Sequence, residues 1–208
     1  MIKNIVFDVG QVMMYYTPAL YINRLGIYDE EDIKILIKEV FDSAEWCATD
    51  SGRLSSEEAA KIVSKQLPAH LVPAAEPLMA HWWEGEITPV PGIEPLIREL
   101  KSLNYGIYML SNASQNIYKY MDRIPGAELF DGKIISADHL MLKPQTEIYR
   151  ELYSRFNLVP AECFFIDDVP ANIEGARLTG MDGTVFRHDI LRLRSELRAA
   201  GIMVKESE

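Results

Sequence analysis

Six polar residues of this 208-residue chain stand where an apolar run gives out. Asp8 follows Ile5-Val6-Phe7, Ser111 and Asn112 follow the run ending at Leu110, Lys143 lies a short loop beyond Ile134-Ile135, and Asp167-Asp168 follow Phe164-Phe165-Ile166. Singly, each has a plainer role: Asp8 as a turn cap before Gly10, Ser111 as a helix cap, Lys143 as a surface charge, Asp167-Asp168 as a turn ahead of Pro170. If the runs are strands of one parallel sheet, however, all six meet at its carboxyl edge, where open α/β folds bind ligands. Three carboxylates, a hydroxyl, an amide and an ammonium in one place suit phosphoryl transfer. Adjacent carboxylates repel, and a hard cation such as Mg²⁺ relieves the repulsion while sharing its shell with a substrate phosphate. The ion also neutralises enough charge for the phosphate to approach Asp8. Ser111, neighbouring backbone N–H groups and Lys143 would hold the phosphoryl oxygens as charge shifts in the transition state.

The surrounding pattern supplies such a sheet. Ile5, Val6 and Phe7 form a continuous apolar run, expected of a strand buried on both faces. From Pro91-Gly92 onward strands and helices alternate. A helix carries Ile93, Leu96, Ile97, Leu100 and Leu103 on one face; Gly106 to Leu110 reads as a strand, followed by a helix from about Gln115. Lys133 to Ser136 and Cys163 to Ile166 read as strands, Thr146 to Phe156 and Ala171 to Thr179 as helices, and Thr184 to Phe186 as the last strand. Such alternation predicts an α/β, Rossmann-like parallel sheet covered by helices on both faces.

Between Tyr15 and Glu86 no strand is expected. Tyr28 to Phe41 has helical spacing with Asp29, Glu30, Glu31 and Asp32 at its start, where negative side chains favour the helix dipole. Ser55-Ser56-Glu57-Glu58 resembles a capping box, and Leu78, Met79, Trp82 and Trp83 share a third helical stripe. The simplest arrangement is a sheet domain built from residues 1–13 and 88–208, with 14–87 inserted as an all-helical lid. Arg187 to Glu208 reads as a solvated terminal helix.

With 48% hydrophobic residues the chain can bury a sizeable core, which excludes disorder. A net charge of −10 and a pI near 4.9 argue against nucleic acid or an anionic membrane as partner, because the average field repels phosphate. No apolar run has membrane-spanning length, and the first strand begins too near Met1 for a signal peptide. The expectation is a cytoplasmic protein with Cys47 and Cys163 as reduced thiols. His70, His81, His139 and His188 have no metal-ligand spacing.

The ordered motifs, strand-Asp-x-Gly, L-S-N, K-P and F-I-D-D-V-P-A-N-I-E-G-A, resemble the haloacid dehalogenase superfamily, in the branch with a helical cap inserted after the first motif. The resemblance covers nearly the whole chain. It implies Asp8 as a nucleophile forming an aspartyl-phosphate, and Ser111, Asn112 and Lys143 as the phosphate-binding group. It further implies Mg²⁺ held by Asp8, Asp168, the carbonyl of Gly10 and Asp167 through a water, with Asn172 steadying that shell. The implied activity is a Mg²⁺-dependent phosphatase acting on a small phosphorylated metabolite, first of all a sugar phosphate.

Three residues depart from the family pattern. Gly10 replaces an Asp that serves as general acid and base in most of its phosphatases, a loss of about 10² to 10⁴ in rate. A bacterial branch with D-x-G-N or D-x-G-G, including sugar-1-phosphate phosphatases, shares this glycine. Gln11 stands where that branch often has Asn, and Leu140 where Gly is usual, a change that bears on how Lys143 approaches. Gly10 leaves open a catalytically weak binding or regulatory protein. A metal-free haloacid dehalogenase is the other alternative, although the Asp167-Asp168 pair has no purpose there. Substrate choice is expected in the lid, where Glu45 to Leu54 reads as a loop carrying Trp46, Cys47, Asp50 and Arg53. Trp46 and Arg53 are the candidate contacts, against lid packing for the first and a solvated charge for the second. Tyr15 and Tyr16 either line the entrance or pack at the hinge; Trp82 and Trp83 read as helix packing.

Overall fold

The computed structural model describes residues 1–85 and 88–205; the expected boundary at Ile87 and the last three residues lie outside them. The strands are β1 (Asn4–Phe7), β2 (Met14–Tyr15), β3 (Thr88–Pro89), β4 (Gly106–Ser111), β5 (Gly132–Ile135), β6 (Cys163–Asp167) and β7 (Asp182–Val185). Five of them form a parallel sheet in the order β5-β4-β1-β6-β7, and β2 pairs antiparallel with β3. The chain builds outward from β1 through β4 to β5, then returns to place β6 and β7 on the other side. The strand order therefore reverses beside β1, the kind of crevice in which doubly wound sheets bind ligands.

Helices α1 (Pro18–Arg24), α2 (Glu30–Leu36), α3 (Ala44–Asp50), α4 (Ser56–Val63) and α5 (Ala75–Ala80) fill the segment between β2 and β3. Helices α6 (Ile93–Ser102), α7 (Ser136–His139), α8 (Thr146–Phe156), α9 (Pro170–Arg177) and α10 (Ile190–Ala199) accompany the sheet. Pleating explains the uninterrupted apolar strands. Ile5, Phe7, Phe164 and Ile166 pack on α6 and α10 through Leu96, Ile97, Leu193 and Leu197. Val6 and Phe165 face the other way, against Ile148, Tyr149 and Leu152 of α8 and Ile173 of α9. A third cluster, drawn from Tyr21 to Met79, lies wholly within the helical segment. That segment thus has an apolar centre of its own, and the β2–β3 ribbon carries the chain into and out of it. No helix among the described residues is long and apolar enough to cross a membrane.

The capping box at α4 forms as expected: Ser55 Oγ accepts from Glu58 N–H at 3.1 Å, and Glu58 Oε2 accepts from Ser55 N–H at 2.9 Å. Several expectations need correction. The helix read over Tyr28–Phe41 is α2 followed by a π-type turn at Ile37–Phe41, closed by Asp42 N–H to Ile37 O at 2.9 Å. Gln115 opens single 3₁₀ turns rather than an α-helix. Residues 44–50 are helix α3, nucleated by Ser43, whose hydroxyl accepts from Trp46 N–H at 3.0 Å. The terminal helix is amphipathic rather than simply solvated, because Leu193 and Leu197 are buried against the sheet cluster.

Candidate active site at the carboxyl edge of the sheet

The sheet brings Asp8, Ser111, Asn112, Lys143, Asp167 and Asp168 together, because β4, β1 and β6 are adjacent and end at the same level. Lys143 arrives from beyond β5 and is the centre of the group. Its ammonium lies 2.9 Å from Asp8 Oδ1 and 2.6 Å from Asp167 Oδ2, and donates to the Leu110 carbonyl at 3.0 Å. Those contacts occupy all three of its N–H donors. Burial works against this charge, but Asp8 and Asp167 outweigh it and hold Lys143 above the ordinary lysine range.

Each carboxylate has a different environment. Asp167 is fully buried and saturated: Oδ1 accepts from Val169 N–H at 2.8 Å and Asn172 Nδ2 at 3.0 Å, while Oδ2 takes Lys143 and Asn172. Asn172 therefore holds an acidic residue of the cluster in place. Asp8 Oδ1 is shared between Lys143 and its neighbour's Val9 N–H at 2.7 Å. Among the described residues no hydrogen bond reaches Asp8 Oδ2, which remains available to a ligand. Burial pushes the Asp8 carboxyl up to about 7, with Lys143 opposing and Asp167 adding to the rise. Asp168 is likewise raised, by burial and then by Asp167. One oxygen from each of Asp8, Asp167 and Asp168 lies within 4.8 Å of the others. Three hard carboxylate oxygens against one ammonium fit a divalent cation such as Mg²⁺.

Asn112 has a role that its position in the motif does not reveal. Its amide oxygen accepts from Lys143 N–H at 2.8 Å and its nitrogen donates to Lys143 O at 3.1 Å, so the side chain sets the height of the lysine loop. Leu140 departs from the family glycine at a position with φ +56°, the left-handed region that favours glycine. Lys143 nevertheless reaches all three partners, so this departure leaves its approach intact. Gln11 is also left-handed, at φ +58°, and its Nε2 donates to Tyr16 O at 2.7 Å. At Gly10 a Cβ would meet no atom within 4 Å, so the missing acid is not explained by lack of room.

Above the cluster lies a cavity of about 220 Å³. Asp8, Ser111, Asn112 and Asp168 line its floor, and Tyr16, Trp46, Asp50 and Trp82 come from the helical segment. The aromatic rings interlock, with centroids 5.1 Å apart for Tyr16–Trp82, 5.9 Å for Tyr16–Trp46 and 5.5 Å for Trp82–Tyr120. Trp46 thus reaches the cavity. Arg53 does not: it is exposed in a separate depression with Ser55, Asn116 and Lys119. Trp82 also differs from expectation. His81, at φ −132°, ends α5, and Trp82 both packs against the cluster that holds Leu78 and Met79 and lines the cavity. Tyr15 lies against His188 instead, with ring centroids 5.8 Å apart.

Asp50, at the end of α3, carries no distinguishing signal in the sequence. The Ser114 backbone N–H and the Trp46 side chain bond its carboxyl, yet burial, reinforced by Asp8, pushes it up to about 8. Its carbonyl accepts from Ser136 Oγ, which itself accepts from Ala113 N–H at 2.9 Å. This fully buried hydroxyl thus ties the end of α3 to the loop after β4. The same junction explains Gly52, at φ +70°, where any Cβ would overlap the Ala137 carbonyl oxygen.

A doubly wound parallel sheet with carboxylates and a buried lysine at the reversal of its strand order defines a Rossmann-like α/β protein with a ligand site at that edge. The family model for haloacid dehalogenase-like hydrolases matches residues 2–180, and the chain belongs to that family. The sesquiterpene phosphatase astK of Aspergillus oryzae is 25% identical over 202 residues, spanning 94% of this chain and 95% of that protein. A HAD family enzyme of Bacteroides thetaiotaomicron, solved with magnesium and inorganic phosphate, matches with a TM-score of 0.68 at 20% identity, over 93% of this chain and 99% of that one. L-2-haloacid dehalogenase of Xanthobacter autotrophicus, with chloropropionic acid covalently bound, matches at 0.64 and 17% identity, over 98% and 85%. At such identities the structural likeness establishes the shared fold.

Proposed function

We propose that this hydrolase is a Mg²⁺-dependent phosphatase of a small phosphate monoester, acting through an aspartyl-phosphate on Asp8. The observation that carries the reading is Lys143: a buried ammonium pinned between Asp8 and Asp167, with Asp8 Oδ2 unbonded among the described residues and Asp8 lining the cavity. In this reading Asp8 Oδ2 attacks phosphorus, Ser111 and the backbone N–H groups after β4 bind the phosphoryl oxygens, and the Lys143 charge, held between Asp8 and Asp167, offsets theirs. Asn112 positions the Lys143 loop. Asp8, Asp168 and the Gly10 carbonyl would hold Mg²⁺, with Asp167 acting through a water because Lys143, Asn172 and Val169 already occupy its oxygens. When bound, the ion offsets the negative charge of carboxylates and phosphate. Residues 14–87 act as a cap that closes over the site, and Trp46 contributes to specificity.

The organic moiety of the substrate has two supported readings. A sugar phosphate would stack its C–H faces on the aromatic wall and hydrogen-bond through Gln11 and Asp50, which also line the cavity. A terpenoid monophosphate is favoured by the density of rings at Tyr16, Trp46, Trp82 and Tyr120, and by the similarity to a sesquiterpene phosphatase. The test is phosphate release from sugar phosphates, nucleotides, prenyl monophosphates and p-nitrophenyl phosphate, with Mg²⁺ and in EDTA. Mg²⁺-dependent release is expected. Halide release from a 2-haloacid in EDTA would transfer the reading to a dehalogenase; no turnover by a folded protein would leave a binding or regulatory role.

A further inference from the structure

We propose that Asp50, delivered by the helical segment, is the general acid and base of the reaction, replacing the group that Gly10 lacks. The inference deepens the phosphatase reading and rests on it. Three observations and one stereochemical requirement converge. Asp50 lines the same cavity as Asp8 but is supplied by the helical segment, at the end of α3 rather than at the sheet edge. In-line displacement at phosphorus puts the leaving oxygen opposite the attacking one, so an ester attacked from Asp8 turns its leaving oxygen away from the sheet edge, the direction from which the helical segment supplies its side chains. The residue is also held in place: Ser114 N–H and the Trp46 side chain bond its carboxyl, Ser136 binds its carbonyl, and α3 presses on α7 at Gly52. Finally, Tyr16 lines the same cavity, and its buried hydroxyl, close enough to Asp50 to feel that carboxyl, has no hydrogen-bond partner among the described residues.

The proton accounting closes. Asp8 Oδ2 bonds to phosphorus as the bond from phosphorus to the ester oxygen breaks, and protonated Asp50 gives its proton to that oxygen, releasing the alcohol. The Asp50 carboxylate then takes a proton from water, whose oxygen attacks phosphorus. The bond from phosphorus to Asp8 breaks, inorganic phosphate leaves, and Asp50 is again protonated. The titratable groups facing Asp50 are Asp8 from the end of β1, Tyr16 after β2, Tyr120 before β5 and Cys47 on α3. Among them only Asp8 is an acid of comparable strength. Burial favours the protonated form of Asp50 in the resting site, as donation requires.

The test uses Asp50→Asn with Mg²⁺ and two esters: p-nitrophenyl phosphate, whose phenolate leaves without a proton, and benzyl phosphate, whose alkoxide needs one. Because kcat/KM reports the steps up to aspartyl-phosphate formation, it isolates the donation half. The variant should lose about 10² to 10⁴ in kcat/KM on benzyl phosphate and at least about tenfold less on p-nitrophenyl phosphate. It should also show a burst of p-nitrophenol, since the water step has lost its base. In the parent, the ratio of the two kcat/KM values, benzyl over p-nitrophenyl, should fall as pH rises through the titration of Asp50, independently of how the variant folds. Equal losses on both esters with a pH-independent parent ratio overturn the proton donor alone. A parent inert toward both esters overturns the phosphatase reading and this proposal with it.

Discussion

Replacing Lys143 with Met removes one charge and keeps the bulk of the side chain, and its effect can be worked from three contacts. The ammonium is 1% exposed and sits within 3.0 Å of Asp8, Asp167 and the Leu110 carbonyl. In the variant two buried carboxylates face each other with no cation between them. Removing one member of a buried ion pair costs about 3–5 kcal/mol, because the remaining charge stays uncompensated. With a urea slope of about 2 kcal/mol/M, the unfolding midpoint at pH 8 in EDTA should drop by roughly 1.5–2.5 M. The loss should shrink toward pH 5, where Asp8, already pushed up to about 7 by burial, takes a proton and relieves the repulsion. Urea titrations of parent and variant at pH 5, 6, 7 and 8 measure this directly. Equal stability across that range would refute Lys143 as the counter-charge of the cluster and remove the electrostatic basis of the site.

Asp8→Asn keeps the shape but not the attacking charge; turnover should vanish while inorganic phosphate still binds, as judged by phosphate-release assays and calorimetry, and substantial residual turnover would reject Asp8 as the nucleophile. Burial raises Asp50 to about 8, so its folded form binds a proton that its unfolded form has lost. Its stabilising contribution is therefore complete below about pH 4 and disappears as pH rises to about 8, an effect on the order of a few kcal/mol. Subtracting Asp50→Asn from the parent in EDTA should reveal that slope; parallel stability curves would show that Asp50 does not titrate abnormally. Leu140→Gly should stabilise the protein by about 0.5–1 kcal/mol, since a non-glycine side chain at φ +56° is strained and this one is 58% exposed. An unchanged or lower denaturation midpoint would count against that strain.

The parallel sheet and its site-bearing edge are legible in the sequence because both are written locally. A run such as Phe164-Phe165-Ile166 with no polar interruption belongs between two layers of helices, and an Asp directly after it must emerge at the carboxyl end. Asp8, Ser111, Asp167 and Asp168 follow from that rule alone, whereas Lys143 reaches the edge only past helix α7. The pairing of Asn112 with the Lys143 backbone links residues 31 positions apart, and no local spacing announces it. Trp82 escapes a reading by periodicity because its stripe runs across His81 in the sequence, whereas the backbone breaks there. Arg53 and Asp50 show the limit most plainly. They lie three positions apart on the same segment, and only the docking of Gly52 on Ala137 and of the Asp50 carbonyl on Ser136 decides which reaches the cavity. Periodicity and strand ends specify what each element buries within itself. The facing of the helical segment on the sheet depends on contacts between residues some 86 positions apart, and those exist only once the chain has folded.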